Sequence, residues 1–141
     1  MATERESLKV TNPKTRGVMF EYRVGHFFER WGYSWDRSGS SLGIDLKILK
    51  NGKLRYLVSC KKTSKPRPIY LTRHEVKRLS IEASRRGAEG LVCFGFHRTP
   101  IYVIPVKEVD KIESTRLYYK IKPGDGILLS EFLEDRLEVN I

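Results

Sequence analysis

The sequence predicts an α/β domain in which a mixed β-sheet is flanked by helices. Three observations carry that prediction. Apolar residues from Phe20 to Trp31 recur at helical spacing, two strand-like runs meet at Asn51-Gly52, and a helix-start signal at Thr72 precedes two further apolar strands. A chain of 141 residues is long enough for one domain with one sizeable core. Its 40% hydrophobic and 31% charged residues suit a folded globular protein rather than a disordered one. No apolar run approaches the roughly 20 residues of a membrane span. The opening "MATERESLKV" lacks an apolar leader, so the protein is expected to stay inside the cell.

Residues 1–14 are polar and end near Asn12-Pro13, so a flexible arm is expected there, with 15–141 forming the single domain. From Arg16 to Trp31, the residues Phe20, Val24, Phe27, Phe28 and Trp31 form one helical stripe, which Gly32 closes. Glu21 lies on the border of that stripe, placed either on a solvated flank or looking inward past the core edge. Tyr33 to Asp36 reads as a short strand, followed by the loop "RSGSSLG". Ile44 to Leu49 and Leu54 to Lys61 read as a hairpin, and Ile69 to Leu71 as another extended piece. Thr72-Arg73-His74-Glu75 has the form of a capping box, in which Thr72 and Glu75 satisfy exposed backbone groups. The helix after it carries Val76, Leu79 and Ala83 on one face and ends at Gly87. "LVCFGF" and "IYVIPV" are two more strands, and a helical segment runs near Glu131 to Leu137. Cys60 and Cys93 lie in strand-like runs without metal-ligand spacing, so two reduced, buried thiols are expected.

The hairpin decides which side chains meet. A two-residue turn at Asn51-Gly52 would set Asp45 opposite Val58 and send Ser59 and Lys61 to the other face. A three-residue loop, Lys50-Asn51-Gly52, pairs Asp45 with Leu57 instead. Asp45, Ser59 and Lys61 then share one face, while Leu46, Ile48, Tyr56, Val58 and Cys60 share the other. The second face is far more apolar, so the hydrophobic pattern selects the three-residue loop.

A carboxylate and a lysine near the ends of neighbouring strands suit phosphodiester cleavage. In such sites two carboxylates hold Mg²⁺, and the lysine steadies charge on the phosphate. Asp45 and Lys61 meet two of those demands, but Ser59 stands where a second acid is needed. An ordinary cross-strand ion pair would look the same. The chain carries 27 basic against 17 acidic residues, a net charge of +10, which favours a polyanionic partner. A membrane surface is disfavoured, because no basic amphipathic helix exposes large apolar residues. A basic scaffold for an acidic protein partner is a third reading, supported by charge alone.

Several segments taken in order resemble the archaeal Holliday junction resolvases, of the PD-(D/E)xK nuclease superfamily. These are "RGVMFEYRV", "RSGSSLGID", "NGKLRYLVSCKK", "IEASRRGAEGLVCFGF" and "YYKIKPGDGILLSEFL", spanning about Arg16 to Leu133. The resemblance implies a restriction-endonuclease-like fold, a Mg²⁺ cofactor, four-way-junction DNA as partner and a homodimer. It implies that Glu21 is the helix glutamate beside the metal, Asp45 the metal-binding aspartate and Lys61 the motif lysine. Ser59 takes the place of the motif's second acid among the catalytic positions. Arg16, Arg37, Ser38, Ser40, Lys61 and Lys62 are the implied DNA contacts. Loss of that carboxylate ligand implies reduced or lost cleavage, the alternative being an active endonuclease in which Glu75, Glu21 or water compensates. "IEASRRG" offers Ala83 and Gly87 where relatives place bulky aromatics in the dimer contact, so an altered interface is expected.

Overall fold

The apolar stripe read from Phe20 onward forms α1 (Pro13–Arg30), which buries Phe20, Val24 and Phe28 against the sheet. The computed structural model describes residues 13–39 and 43–139. The arm expected over 1–14 lies outside them apart from Pro13 and Lys14, which open α1. Gly32 takes a φ of 92°, and Tyr33 N donates to Phe28 O at 3.2 Å, closing the helix with a left-handed residue that glycine adopts without strain. The chain then enters β1 (Ser34–Arg37), β2 (Leu46–Lys50) and β3 (Lys53–Lys62).

The hairpin corrects the three-residue loop expected from its pattern. Lys50 pairs with Lys53 across a two-residue turn, with φ of 53° at Asn51 and 79° at Gly52. Both positive values belong to the turn whose twist matches the flanking strands. Leu49 pairs with Leu54 but Ile48 with Tyr56, leaving Arg55 as the extra residue of a bulge. That bulge shifts the register by one and restores the parity the hydrophobic pattern demands. Leu46, Ile48, Tyr56 and Val58 therefore enter one core cluster, with Cys60 packed against it, while Leu57 enters the other.

After β3 the chain forms β4 (Ile69–Thr72) and α2 (Arg73–Arg85), then β5 (Glu89–Gly95) and β6 (Tyr102–Pro105). A 3-10 turn (Val106–Lys111), β7 (Tyr118–Ile121), β8 (Ile127–Leu128) and α3 (Leu129–Val139) complete the order. The main sheet has six strands in the order β1-β2-β3-β5-β6-β8, with β3 and β5 parallel and the other neighbours antiparallel. β4 and β7 make a separate antiparallel pair. This is the mixed sheet flanked by helices that the sequence predicts. The core on one face takes its side chains from α1 and α3, and that on the other from α2 and the β4–β7 pair. Each fully buried Leu, Ile or Val in these clusters contributes about 1.5–3 kcal/mol. Arg73 fastens the small sheet: it donates to Thr115 O, Ser114 Oγ and the Tyr119 hydroxyl, and lies 4.6 Å from the Tyr119 ring centroid.

Ala83 is buried in the second cluster, and Gly87 has φ 68° just past the end of α2. Ile81, 55% exposed, is the large apolar side chain that α2 presents outward. Cys60 and Cys93 are free and pair in register on β3 and β5, and burial raises the pKa of both thiols.

Candidate active site

Asp45 lies just before β2, where the chain comes off the "RSGSSLG" loop. Its N–H donates to Val58 O at 2.8 Å, and its Oδ2 accepts from Cys60 N at 2.7 Å. The residue thus clasps the backbone on both sides of Ser59. Its own carbonyl accepts from Ser38 N at 2.8 Å, which ties the loop's first turn to the same point. Ser59 is 3% exposed, a buried neutral hydroxyl beside the aspartate.

Glu21 looks inward from α1, as one of its two sequence readings allowed. Its Oε1 accepts from Arg37 Nε at 3.1 Å and lies 3.0 Å from Arg37 Nη2. The hydrogen bond to Glu21 is the main reason the Arg37 pKa is raised. Asp45 is pushed up to about 6, first by burial, which disfavours the charged form. The Cys60 N–H opposes the rise, the neighbouring Glu21 carboxylate adds to it, and the charge of Lys61 opposes it. Two acids and two cations from α1, β1, the start of β2 and β3 therefore act on one point.

Lys61 projects from β3 and places Nζ 2.7 Å from Glu75 Oε1. The same Glu75 forms one half of the expected capping box at the start of α2: its N–H donates to Thr72 Oγ1 at 3.0 Å, while its Oε2 accepts from that hydroxyl at 3.1 Å rather than from the Thr72 N–H. Glu75 Oε1 is buried and has no aligned hydrogen-bond donor, so the contact with Lys61 is one of charge. The capping signal was legible in the sequence. That β4 carries the helix start back over Lys61 was not, since Glu75 and Lys61 are 14 residues apart and belong to different elements.

Of the other expected DNA contacts, Lys62 is exposed at the end of β3, and Ser38 is half-buried with its N–H committed to Asp45. The Arg16 side chain and Ser40 lie outside the described residues. Lys65 and Arg67 extend the exposed basic strip beyond Lys62.

Among the described residues no three acidic, histidine or cysteine side chains gather into a metal cluster. Two carboxylates, Glu21 and Asp45, do approach one another, and the Glu21 charge adds to the rise of the Asp45 pKa. A hard divalent cation takes oxygen ligands and would relieve that repulsion, so this pair suits Mg²⁺.

Comparisons with known proteins give the family and the fold. The family model described as "Archaeal holliday junction resolvase (hjc)" matches residues 12–141. Among solved structures, the chain is similar to the Holliday junction resolvase Hjc of the archaeal hyperthermophile Archaeoglobus fulgidus, with a TM-score of 0.71 and 22% identity. That match covers 84% of this chain and 96% of the other, and it establishes the shared fold. No curated protein matches the sequence. With nearly its whole length matched by the family model, the chain belongs to the archaeal Holliday junction resolvase family.

Proposed function

We propose that the protein binds four-way DNA junctions as a homodimer, and that its cleavage is reduced or lost because Ser59 replaces the motif's second acid. The observation that supports this most directly is the clasp of Asp45 around Ser59, which sets a buried neutral group beside a carboxylate held by the Cys60 N–H at the start of β2. A hydroxyl is a poor ligand for Mg²⁺ beside a carboxylate, and it brings no charge to match the cation.

The exposed basic side chains Arg37, Lys62, Lys65 and Arg67 grip phosphates together with the partly exposed Lys61. Each phosphate neutralised releases counterions, so affinity falls steeply with salt. A two-fold dimer presents two such faces to the converging arms of a junction. Its interface differs from one built on α2 aromatics, since Ala83 is buried and Ile81 is the large apolar group exposed there. Glu21 and Asp45 would hold Mg²⁺, which supplies Lewis-acid polarisation of a phosphate oxygen. Lys61 stabilises negative charge on the phosphate, and Arg37 orients it.

A second reading, an active Mg²⁺-dependent junction endonuclease, is favoured by the 2.7 Å contact of Glu75 with Lys61, which brings a carboxylate to the lysine from another element. Binding and nicking of a four-way junction, beside a linear duplex and with Mg²⁺ or Mn²⁺, test both. Tight junction binding without nicking, with nicking gained in Ser59→Glu and lost again when Asp45→Asn is added, supports the first reading. Robust nicking by wild type that Glu75→Gln abolishes supports the second. Equal affinity for junction and duplex at physiological salt overturns the junction reading altogether.

A further inference from the structure

We propose that the outer face of α1, with Trp35 of β1, is a stacking platform for unpaired nucleobases next to the phosphate-binding groups; this rests on the DNA-binding reading above. Met19, Tyr22 and His26 follow one another at i, i+3 and i+7, on the side of α1 opposite the buried Phe20, Val24 and Phe28. That side of an amphipathic helix is ordinarily polar. Here Met19 is 65% and Tyr22 43% exposed.

The platform is built, not incidental. The Trp35 indole lies against Gly25 so closely that a Cβ there would fall 2.4 Å from the ring, which leaves no room for a side chain on the helix. Its Nε1 donates to Glu29 Oε2 at 3.0 Å, and Glu29 Oε1 lies 3.2 Å from His26 Nδ1. Tyr22 meets Trp35 edge to face at 5.6 Å, and His26 meets it likewise at 5.3 Å. The Arg37 guanidinium lies 5.6 Å from the Tyr22 ring centroid while paired with Glu21. The aromatic rings therefore hold one another in place between α1 and the edge strand β1 and continue through Arg37 to the candidate active site.

Rigid aromatic faces beside a guanidinium suit single-stranded nucleic acid, because every base offers a π-face and every nucleotide a phosphate. The occupant is a short run of unpaired bases, such as those of a splayed arm or an opened branch point. The positive charge of Arg37 beside the rings favours this strand over an apolar protein surface.

The test uses the full chain and two four-way junctions that differ only in a few unpaired thymidines at the branch point, plus a splayed duplex. Wild type is expected to bind the unpaired junction about 10-fold more tightly than the paired one, with quenching of tryptophan fluorescence. Tyr22→Ala removes that preference and leaves the paired junction's affinity and salt slope unchanged. Tyr22→Leu, which keeps apolar area on the helix but lacks the ring, behaves as Tyr22→Ala and guards against a folding defect. Equal wild-type affinity for both junctions overturns the platform, as does an equal loss on both DNAs in the variants. A change in oligomeric mass on Tyr22→Ala also overturns it and assigns the face to a second copy of the chain. If wild type fails to distinguish a junction from linear duplex, the junction reading falls, yet preference for the splayed duplex over linear duplex and its loss in Tyr22→Ala still decide the platform.

Discussion

Asp45→Asn should stabilise the fold at neutral and alkaline pH in metal-free buffer. Burial and the nearby Glu21 carboxylate raise the Asp45 pKa to about 6, against an ordinary carboxylate value of about 3.9. The folded state therefore holds a proton that the unfolded chain releases. Below about pH 4 the group is protonated in both states, and its contribution is fully present. As pH rises through about 6 that contribution is lost, and above this the folded state bears the cost of a buried carboxylate. At 1.36 kcal/mol per pH unit the difference approaches 3 kcal/mol, and partial exposure to solvent reduces it to roughly 2 kcal/mol. Asparagine removes the charge and keeps an oxygen to accept from Cys60 N. Thermal unfolding with a chelator present should place the variant about 6 °C above wild type at pH 8 and level with it at pH 4. Adding Mg²⁺ should raise the wild-type midpoint and leave the variant unmoved. A variant no more stable than wild type at pH 8, or an advantage that persists at pH 4, would refute the account of Asp45 as a costly charge held for a ligand.

Ser59→Glu should cost about 1–3 kcal/mol, because a longer side chain enters a position that is 3% exposed, while Mn²⁺ affinity rises. Urea unfolding and a metal titration measure the two effects. Arg37→Ala should weaken junction binding and lower the salt slope by about one, a change read from affinities at several salt concentrations. An unaltered slope would confine Arg37 to its pair with Glu21. Arg136→Ala should destabilise by about 1–2 kcal/mol in urea, since it breaks the hydrogen bonds of 2.8 and 3.1 Å to Glu89 that fasten α3 to the sheet and the stack on Phe132 within the helix. DNA affinity should be unchanged in that variant.

What the sequence revealed followed from periodicity, and what it hid depended on twist and chain return. The stripe from Phe20 to Phe28 fixed α1 and its buried face, and the alternation along Leu46, Ile48, Tyr56 and Val58 fixed which hairpin face was apolar. Alternation sets only parity, so a three-residue loop and a two-residue turn with a bulge at Arg55 satisfy it equally. The structure takes the second because the strand twist favours a turn with two left-handed residues. β7 and β8, of four and two residues, are too short to show a period, and Arg73 anchors β7 through contacts more than 40 residues away. Glu21 could be read either way from its border position, and only the approach of β1 to α1 decides that it faces Arg37 and Asp45. The partnership of Trp35 with Gly25 is likewise invisible, since a glycine inside a helix pattern announces only a cost.

Under the proposed function, the charges of the site explain why the neutral Ser59 would weaken metal binding. Glu21 is paired with Arg37 and Glu75 with Lys61, which among the described residues leaves Asp45 without a cation of its own. Three carboxylates against two cations give a single net negative charge, a poor match for a divalent metal. A glutamate at position 59 would double that charge and set a ligand beside Asp45 without disturbing either pair. Glu75 adds no such charge while Lys61 neutralises it. It becomes available only when Lys61 turns to another anion, and the anion a DNA-binding face supplies is a phosphate. Under the proposed function, DNA binding therefore frees Glu75 as it occupies Lys61. Residual cleavage, where wild type shows any, belongs to the DNA-bound state and depends on Glu75.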